Sequence, residues 1–194
     1  TLQSSNGVRW GVSDIGITKY SSDGTSRIYS TYIGGDLCEV PHSLIVNNRD
    51  ELYIFGTTGS SDYPSTENAF NRNFSGGSEA NLASGIYINY INGSDIVLSR
   101  LSADGSSMLA STYVGGSFND GLNLNMVANY ADQFRGEIIL DEFQNVVVGT
   151  STFSSDFPVT ANAHKTSIGG LQDGVVFKLD ESLSSMIWSS YFGG

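Results

Sequence analysis

Carboxylates recur in this sequence at fixed places, and a recurring acid is the first candidate for chemistry. Asp62-Tyr63-Pro64 and Asp156-Phe157-Pro158 stand at equivalent positions, Asp14, Asp95 and Asp173 open three similar segments, and Glu39 and Asp120 each stand four residues after a Gly-Gly pair. Acid catalysis asks for a second carboxylate at a legible spacing, and none is legible. An acid repeated in every copy more simply accepts backbone N–H bonds, while the neighbouring ring packs between copies and the proline fixes φ. Asp14, Asp95 and Asp173 are accordingly expected to cap the loops that enter a strand. Glu39 and Asp120, with Asn119, Asp132 and nearby glycine carbonyls, are oxygens of the kind that hold Ca²⁺, although no D-x-[DN]-x-[DN]-G loop accompanies them. His42 and His164 occupy non-equivalent positions without a G-x-S-x-G or H-E-x-x-H motif, so they read as packing or solvent-facing side chains. Cys38 has nothing beside it to lower its pKa and reads as a small buried hydrophobe. No residue is assigned as catalytic.

Composition narrows the partners. In 194 residues, 20 acidic and 9 basic side chains leave a formal charge of −11, which repels phosphate backbones and argues against nucleic acid. Two histidines and one cysteine cannot build a Cys/His zinc site or an internal disulfide. No run of apolar residues is long enough for a membrane-spanning helix, so direct membrane insertion is not expected. Glycine at 23 residues against 3 prolines, scattered without a period, is an all-β composition with many tight turns. The low charge and the Ser, Thr, Asn, Gly and Tyr content resemble those of secreted and surface proteins.

The elements that position these residues are set by repetition. DIGITKYSSDGTSRIYSTYIGG (14–35) aligns without a gap to DIVLSRLSADGSSMLASTYVGG (95–116) and to DGVVFKLDESLSSMIWSSYFGG (173–194), the first two sharing 11 of 22 residues. Each copy reads as strand, turn, strand. Asp23-Gly24 and Asp104-Gly105 predict type I′ hairpin turns with positive φ at both residues, whereas Asp180-Glu181-Ser182-Leu183 predicts a turn of another form. A second unit, 47–70, aligns with 141–164 at an offset of 94. One full repeat therefore has four strands, at about 43–47, 51–57, 95–101 and 108–114, and again at about 137–141, 145–151, 173–179 and 186–192. Four short antiparallel strands per repeat predict an all-β chain of β-propeller blades, about two and a half of them. Residues 1–35 form the second half of a blade, 36–116 a complete blade and 117–194 another. Such an arc does not close a ring, so the chain is expected to be part of a larger propeller.

Two insertions, roughly 75–94 and 119–135, fall in the two connections that emerge at the same end of a four-stranded antiparallel blade. Loops free to vary in length carry recognition. Tyr87, Asn89 and Tyr90 in one, and Asn123, Asn125, Tyr130, Phe134 and Arg135 in the other, are side chains that suit sugar or protein surfaces.

The sentence formed by 95–101, Ala-Asp-Gly-Ser, Ser-Thr-Tyr-Val-Gly-Gly, Leu-Tyr-Ile-Phe-Gly-Thr-Thr and Ser-Asp-Tyr-Pro resembles the bacterial β-propeller repeat family often called SBBP repeats. Gly149 departs from it by standing one place before the position of Gly56. The resemblance implies a secreted or outer-surface bacterial protein, with members exported through the type IX route and serving adhesion or gliding motility. It also implies a non-enzymatic module that binds protein or glycan, or scaffolds other domains of the same larger protein. The alternatives are a glycan-processing enzyme with its site at the propeller axis, and a purely structural spacer.

Overall fold

The computed structural model describes residues 13–82, 88–124, 134 and 136–194. Among them are twelve β-strands and no helix. β1 (Ile15–Tyr20) and β2 (Arg27–Ile33) form a two-stranded sheet. β3 (Glu39–Val46), β4 (Leu52–Thr58), β7 (Asp95–Leu101) and β8 (Met108–Val114) form a four-stranded antiparallel sheet in the order β3-β4-β7-β8. β9 (Glu137–Leu140), β10 (Val146–Thr152), β11 (Asp173–Leu179) and β12 (Met186–Phe192) repeat that order in a third sheet. β5 (Ala80–Leu82) and β6 (Ile88–Tyr90) make a small hairpin inside the first insertion, which the repeat does not predict.

The sheets stack face to face, and their burial follows from their place in the stack. β4 is buried along its whole length because the middle sheet is covered on both sides, so its sequence reads LYIFGTT without alternation. β11 alternates buried and half-buried residues because, among the described residues, a sheet packs against one face of the third sheet only. Tyr53, Phe55, Ile96 and Leu98 of the middle sheet meet Ile138, Val148, Val175 and Phe177 of the third. Ile15, Ile17 and Ile33 of the first sheet meet Leu52, Ile54, Val97 and Tyr113 on the other face.

β3 starts at Glu39, earlier than the repeat predicts, and carries an irregularity between Pro41 and Ser43. There the backbone comes so close that a Cβ on Gly56 would lie 3.2 Å from the Pro41 Cα. β9 stops at Glu137, paired with Gly149, so the position after Gly149 needs no glycine and carries Thr150. The displaced glycine is thus a consequence of a shorter first strand.

The hairpin turns differ from the sequence expectation. Gly24 and Gly105 have φ of 71° and 66°, but neither preceding aspartate has positive φ. Ser21 N donates to Ser26 O and Gly24 N to Ser21 O, and Ser102, Ser107 and Gly105 repeat the pattern. This is a type I turn followed by a left-handed glycine, because six residues from Ser21 to Ser26 span the gap where a type I′ hairpin needs a two-residue loop. The third turn has the same form and not a different one: Asp180 N donates to Ser185 O and Leu183 N to Asp180 O. Leu183 takes the left-handed place with φ 56° and is fully buried. Burying its side chain offsets a conformational cost of about 1 kcal/mol. The acid and hydroxyl have exchanged places too, since Asp23 accepts from Ser21 Oγ, whereas Asp180, standing where Ser21 does, accepts from Ser182 Oγ.

The two glycines test this account. Nothing lies within 4 Å of a Cβ on Gly24, whereas one on Gly105 would sit 2.6 Å from the Tyr29 ring. Gly24→Ala is expected to cost about 1 kcal/mol from backbone strain alone, and Gly105→Ala about 2 to 3 kcal/mol. Urea titration of the two variants side by side measures the difference.

Candidate binding site at the insertion end

Both insertions fold over the same end of the sheets. Ala80, Leu82 and Tyr90 of the β5–β6 hairpin pack with Cys38 and Leu122, and Leu124 and Phe134 join them. Tyr90 is fully buried, with its hydroxyl 2.8 Å from Thr57 Oγ1. Phe134 meets the edge of the His42 ring at 5.7 Å. Tyr90 and Phe134 are therefore glue between the insertions and the sheets, not the exposed recognition groups the sequence suggests; the apolar surface of short insertions has nowhere else to go. Asn89 Nδ2 donates to Glu79 Oε1 at 3.2 Å. Tyr87, Asn125, Tyr130, Asp132 and Arg135 lie outside the described residues.

Six of the recurring carboxylates accept backbone N–H bonds: Glu39, Asp62, Asp95, Asp120, Asp156 and Asp173. Glu39 accepts from Thr58 Oγ1 at 2.6 Å, Ser60 Oγ at 2.5 Å and Gly35 N at 3.0 Å. Asp120 repeats the set with Thr152 Oγ1, with Ser154 Oγ at 3.0 Å and with Gly116 N at 2.8 Å. Asp95 accepts from Ser75 N at 2.6 Å and Gly76 N at 2.9 Å, holding the start of the first insertion. Asp62 and Asp156 accept from Asp36 N and Ser117 N, and Tyr63 and Phe157 are buried between sheets. Asp173 accepts from Gly169 N at 2.8 Å and from Lys165 Nζ at 3.0 Å.

Burial dominates the acidity of these groups. It pushes Asp95 up to about 7 and Asp120 up to about 8, and it raises Glu39 as well. Both oxygens of Glu39 and of Asp120, two of the Ca²⁺ candidates, already face N–H or O–H donors; among the described residues no group of three or more His, Cys, Asp or Glu side chains is placed to hold a metal ion, and Asp132 lies outside them. Asp95 and Asp120 flank Gly115 but are sealed from solvent, so they are not the open carboxylate pair of a glycosidase.

What the end leaves open is a polar pocket of about 430 Å³ on the outward side of the third sheet. Gly149 and Gly174 make its floor, and Asn123, Gly136, Thr150, Ser151, Gln172 and Asp173 line it. Leu122 is pinned beside it, its carbonyl accepting from Ser151 Oγ and Gln172 Nε2, both at 2.9 Å. Asn123, the one described recognition candidate on this wall, is thereby held against β10. Asp173 is the only carboxylate among the described lining residues, and the Lys165 ion pair offsets its charge. The sequence matches no protein-family model and no curated protein.

The pocket exists because the third sheet departs from the second. By the offsets of the repeats, Gly149 stands where the middle sheet has Phe55, and Gly174 where it has Ile96, both fully buried there. On the outermost strand the exchange runs the other way. Trp188 replaces Ala110 and Phe192 replaces Val114, and His164 stacks on Phe192 at 5.8 Å. The face is hollow over its inner strands and aromatic along its outer one. Aligning the repeats for large-to-small exchanges reveals this signal, whereas a search for polar loop residues passes over it.

Proposed function

We propose that the chain is part of a β-propeller, its sheets being consecutive blades, and that it is a non-enzymatic module binding a glycan in the Gly149–Gly174 pocket. The observation that carries the binding reading is the replacement of Phe55 and Ile96 by glycines in the third sheet, which empties a space lined by amides and hydroxyls. Such a lining suits an uncharged, hydroxyl-rich ligand, and the volume is that of a small-molecule site. A further repeat stacked on Trp188 and Phe192 would roof the pocket without filling it. The engagement of Glu39, Asp62, Asp95, Asp120, Asp156 and Asp173 as acceptors of backbone N–H bonds speaks against the enzymatic alternative. The composition and the resemblance to SBBP repeats support an extracellular or outer-surface setting within a larger adhesin or gliding protein.

Filling the pocket tests the proposal. A Cβ on Gly149 would meet Val176 at an ordinary 3.9 Å, so Gly149→Phe restores the side chain of the middle sheet without a clash at its base. Against a panel of neutral oligosaccharides the unmodified protein is expected to retain a subset that Gly149→Phe releases by at least about tenfold, with an unchanged melting temperature. Equal retention by the two proteins, or none by either, would sink the reading.

A further inference from the structure

One irregularity recurs in all three sheets. The register of the β1–β2, β7–β8 and β11–β12 pairs slips once, between Lys19 and Tyr20, Arg100 and Leu101, and Lys178 and Leu179. The residue left without a partner on the outer strand is Ile28, Leu109 and Ile187 in turn, the same position of the repeat each time. A β-bulge re-aims the side chain it carries, and these three stand 55%, 43% and 47% exposed. Leu109 belongs to the middle sheet, which packs against a sheet on each face, so its exposure belongs to the repeat and not to an end of the stack.

Folding accounts for the bulge but not for the aliphatic. A bulge blunts a sheet edge, and a charged side chain there blunts it further. Loops already cover the strand edge elsewhere: Thr66 N donates to Ser111 O and Tyr113 N to Asn71 O on β8, and Thr160 N donates to Ser189 O and Tyr191 N to Lys165 O on β12. Single exposed aliphatics are ordinary; one at the same bulge of every copy makes a row along the rim of the stack. With sheets about 10 Å apart the row runs for at least about 20 Å, the reach of about six extended residues.

The turns beside the row are acidic. Asp23, Asp104 and Asp180 stand in the hairpin turns that precede the bulges, and each accepts from a serine hydroxyl, of Ser21, Ser102 and Ser182. Among the described residues no cation pairs with any of the three, whereas Lys19, Arg100 and Lys178 are engaged by Asp50, Glu51 and Asp141. Arg27 lies beside Ile28, but Met108 and Met186 hold its place in the other two copies, so the apolar and acidic character is greatest along the second and third sheets.

We infer that this rim, Ile28, Leu109 and Ile187 with the turn carboxylates, is a docking surface for a basic amphipathic polypeptide segment extended across the repeats. Its aliphatic side chains seat on the row, and its Lys or Arg side chains meet Asp104 and Asp180. Charge selects this occupant: phosphate-bearing surfaces and a second copy of a chain of net charge −11 are both repelled. The surface lies at the turn end, opposite the insertions, and is independent of the glycan reading.

The probe is a synthetic peptide of alternating lysine and leucine, twice the length of the row, which places its leucines on one face when extended. Lysine–serine and glutamate–leucine peptides of equal length are measured beside it. The lysine–leucine peptide is expected to bind the purified protein saturably, at least about tenfold more tightly than either of the others. Ile28→Ser/Leu109→Ser/Ile187→Ser, at exposed positions, should weaken it by at least about tenfold with the melting temperature unchanged. Asp104→Asn/Asp180→Asn, which keeps an acceptor in each turn, should weaken it too and flatten its salt dependence. Absence of binding overturns the inference, and so does preference for the glutamate–leucine peptide. Equal binding of the lysine–serine peptide, or binding that survives the triple substitution, overturns it as well, because only the net charge would then be at work.

Discussion

Phe55→Ala is expected to cost about 3 to 5 kcal/mol, enough to threaten the fold of a domain of this size. Phe55 is fully buried where the middle and third sheets meet, among Tyr53, Leu98, Ile138 and Val148. Its surroundings cannot collapse into the space: a Cβ on Gly136 would clash with its ring, so backbone already abuts it, and His42 packs against its edge at 4.9 Å. The lost transfer free energy and the residual cavity therefore add. A urea titration should show the midpoint falling with little change in slope. Leu44→Ala is the comparison, since its side chain lies 64% exposed on the opposite face of the same sheet; it is expected to change stability by no more than about 0.5 kcal/mol. A Phe55 variant as stable as the Leu44 variant would mean that the two sheets do not share this core.

Stability is expected to fall as pH rises from about 4 to about 9, the reverse of ordinary acid denaturation. Burial raises Asp95 to about 7 and Asp120 to about 8, so between the unfolded carboxylate range and these values the folded protein binds more protons than the unfolded chain. The stabilisation is full below the unfolded pKa and is lost as pH rises through the folded one. At about 1.4 kcal/mol for each pH unit separating the folded from the unfolded pKa, the loss is at most on the order of 5 kcal/mol for each acid. Asp104 and Asp23 have the opposite sign, lowered to about 2 first by serine hydroxyls, and they act only below about pH 4. Maximum stability should therefore lie near pH 4 to 5. Asp120→Asn should flatten the slope while keeping an acceptor for Thr152, whereas Asp120→Ala should destabilise at every pH by stranding buried donors. Self-repulsion from the net charge of −11 acts in the same direction. Added salt screens that repulsion and leaves the buried carboxylates untouched, so melting curves at pH 5 and 8 in low and high salt separate the two. A pH slope that vanishes in salt would refute the buried-acid account.

The sequence by itself determined the repeated strands and their order, although not the β5–β6 hairpin. β7, β8, β11 and β12 have the bounds the repeat predicts, because the strand–turn–strand pattern is local and occurs three times over, with an Asp-Gly turn signal in two of the copies. The acids were legible as backbone acceptors for the same reason: a side chain that caps a neighbouring loop leaves its trace in every copy. Placing both insertions at one end followed from strand parity alone.

Tertiary structure decided what those elements face. Tyr90 and Asn123 look alike as polar loop residues, yet one is buried on its hairpin against Thr57 and the other lines a pocket, since burial depends on partners far away in the chain. Leu183 takes a glycine's left-handed place because the core of a neighbouring sheet receives its side chain, a compensation invisible to any turn rule. Glu39 and Asp120 read from sequence only as free oxygens, whereas β4 and β10 supply the hydroxyl donors that engage them. Gly149 and Gly174 read as ordinary strand glycines, and only the stacking of sheets turned their missing side chains into a cavity. Local pattern specifies strands and turns, because those depend on backbone geometry within a few residues. Surfaces, pockets and acidities depend on which faces meet, and that is a property of the assembled stack.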